Sequence, residues 1–136
     1  MKEAVFSLIG YNFPEVKLDM SSIADSNGKF NLSIIPSGVF DQTSKTFALN
    51  FKFSASVNSI NCIDVTCVAG FSFKEVESLD EIPNYFYANS IAILFPYVRA
   101  FISTLTLQAN YQPIVLPTMN LSDLSALLKE HVTVKE

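Results

Sequence analysis

Residues Thr46–Val57 read TFALNFKFSASV, and the alternation in that stretch constrains the fold more than any other feature. Phe47, Leu49, Phe51 and Phe53 point one way, while Thr46, Ala48, Asn50, Lys52 and Ser54 point the other. A period of two is the signature of a strand with one apolar face. Such a strand needs neighbours on both sides and a layer over its greasy face.

Neighbours are present. VFSLIGYNFPEVKLDM (Val5–Met20) reads as a long strand interrupted near Pro14, which suits an edge or a bulge. DSNGK (Asp25–Lys29) carries the Asn-Gly signal of a tight hairpin. In FNLSIIPSGVF (Phe30–Phe40), Phe30, Leu32 and Ile34 share a face, and Pro36-Ser37-Gly38 is expected to break the ladder. VNSIN turns into CIDVTCVAGFSFKEV, with Ile63, Val65 and Cys67 on one face and Cys62, Asp64 and Thr66 on the other. Gly70 there predicts a bulge that re-aims Phe71 and Phe73. Together these segments predict a four-stranded antiparallel sheet, as a meander or a Greek key.

The cover follows the strands. Ile91, Leu94, Phe95, Val98, Ile102 and Leu105 recur at helical spacing. Pro96 falls inside that stripe, so the helix either kinks there or restarts with proline in its first turn. NYQPIVLPTMN is extended and stiffened by Pro113 and Pro117, and LSDLSALLKE reads as a short amphipathic helix capped by Asn120 or Ser122. The reading is one α+β domain over residues 1–136: strands in 3–77, a helix region at 84–109, a crossover at 110–119 and a short helix at 120–130.

Composition narrows the function. Apolar residues make up 49% of 136, charged residues only 16%, and there are 12 Phe and no Trp. A domain this small exposes much of its surface, so the apolar surplus implies associating subunits or a greasy surface kept for a partner. No apolar run is expected to reach the roughly 18–20 residues of a membrane span, and the N-terminal apolar stretch is short for a secretory signal. The expectation is a soluble, cytoplasmic protein without membrane insertion. A net charge of −4 and a pI near 4.9 argue against nucleic acid. Cys62 and Cys67, five apart in a strand, face opposite ways, and His131 alone completes no metal set, so the cysteines read as small buried hydrophobes and no metal or cofactor is expected. Asp80 and Glu81 are adjacent and converge poorly, and no general-base His or phosphate loop is present, so no enzyme is expected.

The residues Leu94-Phe95-Pro96-Tyr97-Val98-Arg99 carry a resemblance. With Gln112-Pro113-Ile114-Val115-Leu116-Pro117 and Asn120-Leu121-Ser122-Asp123-Leu124 at the right distance behind them, the chain resembles the SecB family of protein-export chaperones. Val98 replaces the family's usual Ala, the acidic C-terminal tail is reduced to KEHVTVKE, and a second-strand string of the family occurs in the first strand here, at Pro14–Asp19. The resemblance implies an ATP-independent holdase for unfolded, export-destined polypeptides, handing them to the SecA motor, and a homotetramer built as a dimer of dimers. It implies a client groove lined by Phe95, Tyr97, Ile114, Leu116, Met119, Leu121, Leu124 and Leu128. It further implies a subunit interface at Ile63, Val65 and Cys67, and contacts to a basic SecA tail through Glu15, Asp19 and Asp64. Arg99, whose fork can find several acceptors, is expected at a subunit interface or at a cluster of helix-terminal carbonyls. Alternation leaves open whether Ile63, Val65 and Cys67 face a subunit or the chain's own core. Two other functions stay open: a SecB-like chaperone dedicated to a toxin–antitoxin pair, and a domain binding a small apolar ligand.

Overall fold

A computed structural model describes residues 5–21, 29–116 and 120–136. Five strands form one sheet: β1 (Phe6–Leu18), β2 (Asn31–Asp41), β3 (Thr46–Val57), β4 (Ile60–Phe73) and β5 (Val132–Lys135). Helices α1 (Tyr85–Gln108) and α2 (Leu121–Glu130) lie between β4 and β5 in the chain. The strand order is β1-β4-β3-β2-β5. Strands β2, β3 and β4 follow as hairpins and β1 lies beside β4, which is the Greek-key alternative. The expected four strands become five, because the tail beyond α2 pairs in parallel with β2 at Gly38–Asp41.

The β3–β4 turn is two residues, Asn58 and Ser59, both with positive φ (49° and 67°), the conformation that suits the right-handed twist of a hairpin. The Asn-Gly hairpin expected before β2 does not form between neighbours. Asn27 and Gly28 lie outside the described residues, and β1 and β2 are separated by two strands. Strand β1 takes an extra residue at Ile9 and another near Pro14, so the first bulge lies opposite Gly70 and belongs to β1 rather than β4. Pro36 does not break β2, which pairs with β3 without a shift from Asn31 to Asp41. The Gly38 amide points away from β3, to His131 O at 3.1 Å. By the two-residue period the nitrogen of Pro36 faces the same outer edge, where no bond to β3 is lost.

The core lies on one face of the sheet, under α1. Phe47, Leu49, Phe51, Ala55, Ile63, Cys67 and Phe71 meet Ile91, Leu94, Val98 and Ile102, all fully buried. Phe86, in the first turn of α1, pins the helix: its ring lies 4.8 to 5.5 Å from Phe6, Phe47, Phe71 and Phe73. Such edge-on aromatic contacts add to plain burial.

Helix α1 is continuous through Pro96, so no second helix starts there. Pro96 is exposed, so the Ala92 carbonyl it leaves unpaired, itself on the exposed side, faces water. By length and composition α1 could cross a bilayer (24 residues, with an 18-residue window of mean hydropathy 1.5), contrary to the expectation that no segment comes close. Its apolar stripe packs on the sheet instead. The helix ends at Asn110, with φ 68°, where Tyr111 N donates to Thr106 O and Asn110 N to Leu107 O.

Candidate functional site

Beyond α1 the chain doubles back along the helix, and two hydroxyls fix its path. Ser103 Oγ donates to Ile114 O at 2.8 Å, and the fully buried Thr106 Oγ1 accepts from Ile114 N at 3.0 Å. With both backbone groups of Ile114 tied to α1, extended geometry turns Leu116 inward and leaves Val115 66% exposed. Asn120 then caps α2, accepting from Ser122 N at 3.0 Å and Asp123 N at 3.4 Å. Helix α2 lays Leu121, Leu124 and Leu128 inward, over β2 and against α1. Lys129 closes its far end, donating to Asn84 Oδ1 at 2.9 Å with its ammonium 5.9 Å above the Tyr87 ring.

Six of the expected groove residues therefore belong to one apolar body. Leu116, Leu124 and Leu128 are buried in it, while Phe95, Ile114 and Leu121 are half-buried and packed against it; Phe95 meets Phe51 across 6.4 Å. Tyr97 does not join them. It lies on the opposite flank of α1, 42% exposed, stacked on Tyr11 of β1 at 4.5 Å, beside Phe13 stacked on Phe101 at 4.0 Å. Met119 lies outside the described residues. Val115 and Leu127, each next in sequence to a floor leucine, add exposed apolar surface on the crossover and α2, and sequence reasoning missed both.

Ile63, Val65 and Cys67, expected at a subunit interface, face the chain's own core and are 0–2% exposed. Burial pushes the Cys67 thiol up to about 11. Arg99 stands on the exposed side of α1, as the helix's only charged residue, with no hydrogen bond or ion pair to another described residue.

The sheet's other face is open. A hollow of about 350 Å³ crosses it where Glu15, Thr66 and Lys52 form one transverse row and Lys17, Asp64 and Ser54 the next. Glu15 and Asp64, expected to meet a basic partner, are thus interleaved with two lysines, and the hollow is charge-balanced. Asp64 accepts from Asn61 Nδ2 at 3.1 Å. Asp19 is taken up locally: Ser21 Oγ and Ser21 N donate to it at 2.6 and 3.0 Å, holding its carboxyl below the usual range.

The family model of the preprotein translocase subunit SecB matches residues 29–131. This chain belongs to the SecB family. Of the described SecB-like elements, β2 through α2 fall within the match, while β1 and β5 lie outside it. The SecB-like chaperone Rv1957 of Mycobacterium tuberculosis, solved with a ChAD peptide from the Rv1956 HigA1 antitoxin, has a similar fold. The TM-score is 0.64 over 85% of this chain and 91% of that one, at 15% identity. The uncharacterized protein MJ0357 of Methanocaldococcus jannaschii is 44% identical over 63 residues, 46% of this chain. That segment spans 41% of the length of MJ0357.

Proposed function

We propose that this member of the SecB family is an ATP-independent holdase, gripping extended polypeptides along the apolar surface between α1, the crossover and α2. One observation carries the reading: a buried leucine floor is rimmed by half-buried Phe95, Ile114 and Leu121, with exposed Val115 and Leu127 next to it in sequence. Unfolded chains share little beyond apolar side chains and free backbone groups, and an aliphatic and aromatic surface without charges accepts many of them.

The same reading uses the outer face of α1. Ile93, Tyr97, Ala100 and Leu107 are exposed there around the single charge of Arg99. A helix face of this length with a single charge suits a second copy, and we propose a cytoplasmic homo-oligomer, a tetramer as a dimer of dimers, with Arg99 reaching partner acceptors. In that assembly the contact runs through α1 and the β1 edge rather than through Ile63, Val65 and Cys67.

The test is whether the purified protein, without nucleotide, keeps a slow-folding polypeptide from aggregating, with light scattering on the same sample for size. Phe95→Ser with Leu121→Ser should abolish protection while leaving far-UV circular dichroism intact. A wild-type protein that leaves aggregation unchanged overturns the reading.

The charge-balanced hollow favours a second reading. Lys17 and Lys52 beside Glu15 and Asp64 fit a basic SecA tail poorly. A chaperone serving one antitoxin needs no such contact, and the fold likeness to Rv1957 supports that reading. Recovery of one client rather than many in a pull-down separates the two.

A further inference from the structure

The edge of β2 is unevenly equipped. Its outward-pointing nitrogens fall at Leu32, Ile34, Pro36, Gly38, Phe40 and Gln42, by the parity that the Gly38 and Gln42 bonds set in a strand without register shifts. Pro36 has no hydrogen to offer, so the open half of the edge lacks a donor there. The longest unbroken run of donors, Gly38, Phe40 and Gln42, lies beyond that gap, and there β5 sits. Gly38 N bonds His131 O at 3.1 Å and Gln42 N bonds Lys135 O at 2.9 Å.

Strand β5 is lightly held. It has four residues, of which only Val132 is half-buried and packed on the core, while Thr133, Val134 and Lys135 are exposed. A short exposed strand with few apolar contacts belongs to the low-stability end of a fold. Its sequence also shows what the edge accepts: three successive β-branched residues, with a lysine opposite Asp41. That carboxylate also accepts from Thr43 N and Ser44 N at 3.0 and 3.2 Å.

We infer that the Gly38–Gln42 edge of β2 is a strand-addition site which β5 occupies in the unliganded chain and an extended polypeptide takes over by displacing it. The inference rests on the polypeptide-binding reading and deepens it. The displacing segment runs parallel to β2, carries successive β-branched side chains, and places Lys or Arg where Lys135 pairs with Asp41. Only His131 separates β5 from α2, so freeing β5 also loosens the end of α2 that covers the apolar floor. Backbone pairing and side-chain burial of the partner are thereby coupled.

A reversible lock tests this. Val39 and Thr133 are paired neighbours, and both are exposed. Adjacent strands lie about 4.8 Å apart, within disulfide range. The double variant Val39→Cys/Thr133→Cys is compared oxidised and reduced for binding of a labelled, reduced and alkylated model polypeptide that cannot fold. The expected result is at least about tenfold weaker binding when oxidised and wild-type binding when reduced, since the competent state is then withheld. Thr133→Pro removes the amide that parity places against β2, and should bind the same probe several-fold tighter than wild type. Equal binding by the oxidised and reduced forms, or no gain in Thr133→Pro, overturns the displacement while leaving polypeptide binding intact. A wild-type chain that does not retain the probe overturns the proposed function, and this inference with it.

Discussion

Gly38 is the position where a single added methyl tests the packing most sharply. A Cβ built there would stand 2.2 Å from Phe47 Cζ and 2.5 Å from its Cε1, so something must move. The Phe47 ring cannot swing freely. It is fully buried, with the Phe86 ring at 4.9 Å and the Phe73 ring at 6.5 Å. Overfilling a packed core costs about 1–3 kcal/mol. Against this, alanine in a strand with ordinary φ regains about 0.5–1 kcal/mol of unfolded-chain entropy. Gly38→Ala is therefore expected to lose about 1–2 kcal/mol net. Shrinking the obstacle should remove the penalty: in a Phe47→Leu background the same substitution becomes neutral or slightly stabilising, giving a coupling of about 1–2 kcal/mol between two sites in contact across neighbouring strands. The chain has no Trp, so urea unfolding is followed by far-UV circular dichroism, at one fixed protein concentration because association shifts apparent stability. An additive double-mutant cycle would refute the argument, since it would mean that the ring over Gly38 is not what excludes the methyl.

Four further outcomes follow from particular residues. Asn120→Ala, which removes the side-chain acceptor at the start of α2, should destabilise the protein by about 1 kcal/mol in the same urea assay. Cys67, fully buried with its thiol raised to about 11, should resist alkylation at mildly alkaline pH in the native state and react once urea unfolds the chain. Asp41 is held below its ordinary 3.8, first by the Ser44 amide, then by Thr43 and by the charge of Lys135. Its contribution is present above that ordinary value and lost as pH falls through the depressed one, so Asp41→Asn should flatten the acid limb of a stability–pH curve. Ile93→Glu on the outer face of α1 should lower the assembly's mass in light scattering with the fold retained, because a charge is introduced where a second copy is proposed to pack.

The strand pattern was legible wherever one face is buried against the helix. Phe47, Leu49, Phe51 and Phe53 alternate because α1 covers only their side, and the same asymmetry made the Ile91–Ile102 stripe readable as its cover. Alternation reports a face but not its covering layer, so Ile63, Val65 and Cys67 could be assigned to the wrong one. Pro36 misled because a missing donor matters only on the side where a partner strand lies, and sequence does not say which side that is. Strand β5 escaped notice for a related reason: three of its four residues are exposed, so no burial asymmetry is imprinted on it, and the β-branched Val132, Thr133 and Val134 were its only signal. Tyr97 is different, since its displacement was readable. Phe95 and Tyr97 are two apart in a helix, about 200° around its axis, so one groove cannot hold both. The same wheel places Ala92, Pro96, Arg99 and Ala100 together on the side away from the sheet. That leaves a nearly chargeless ridge on a helix whose buried stripe is already satisfied, and no residue of this chain among those described covers it. A surface whose complement lies in another molecule is the part of a fold that its own periodicity can locate but not complete.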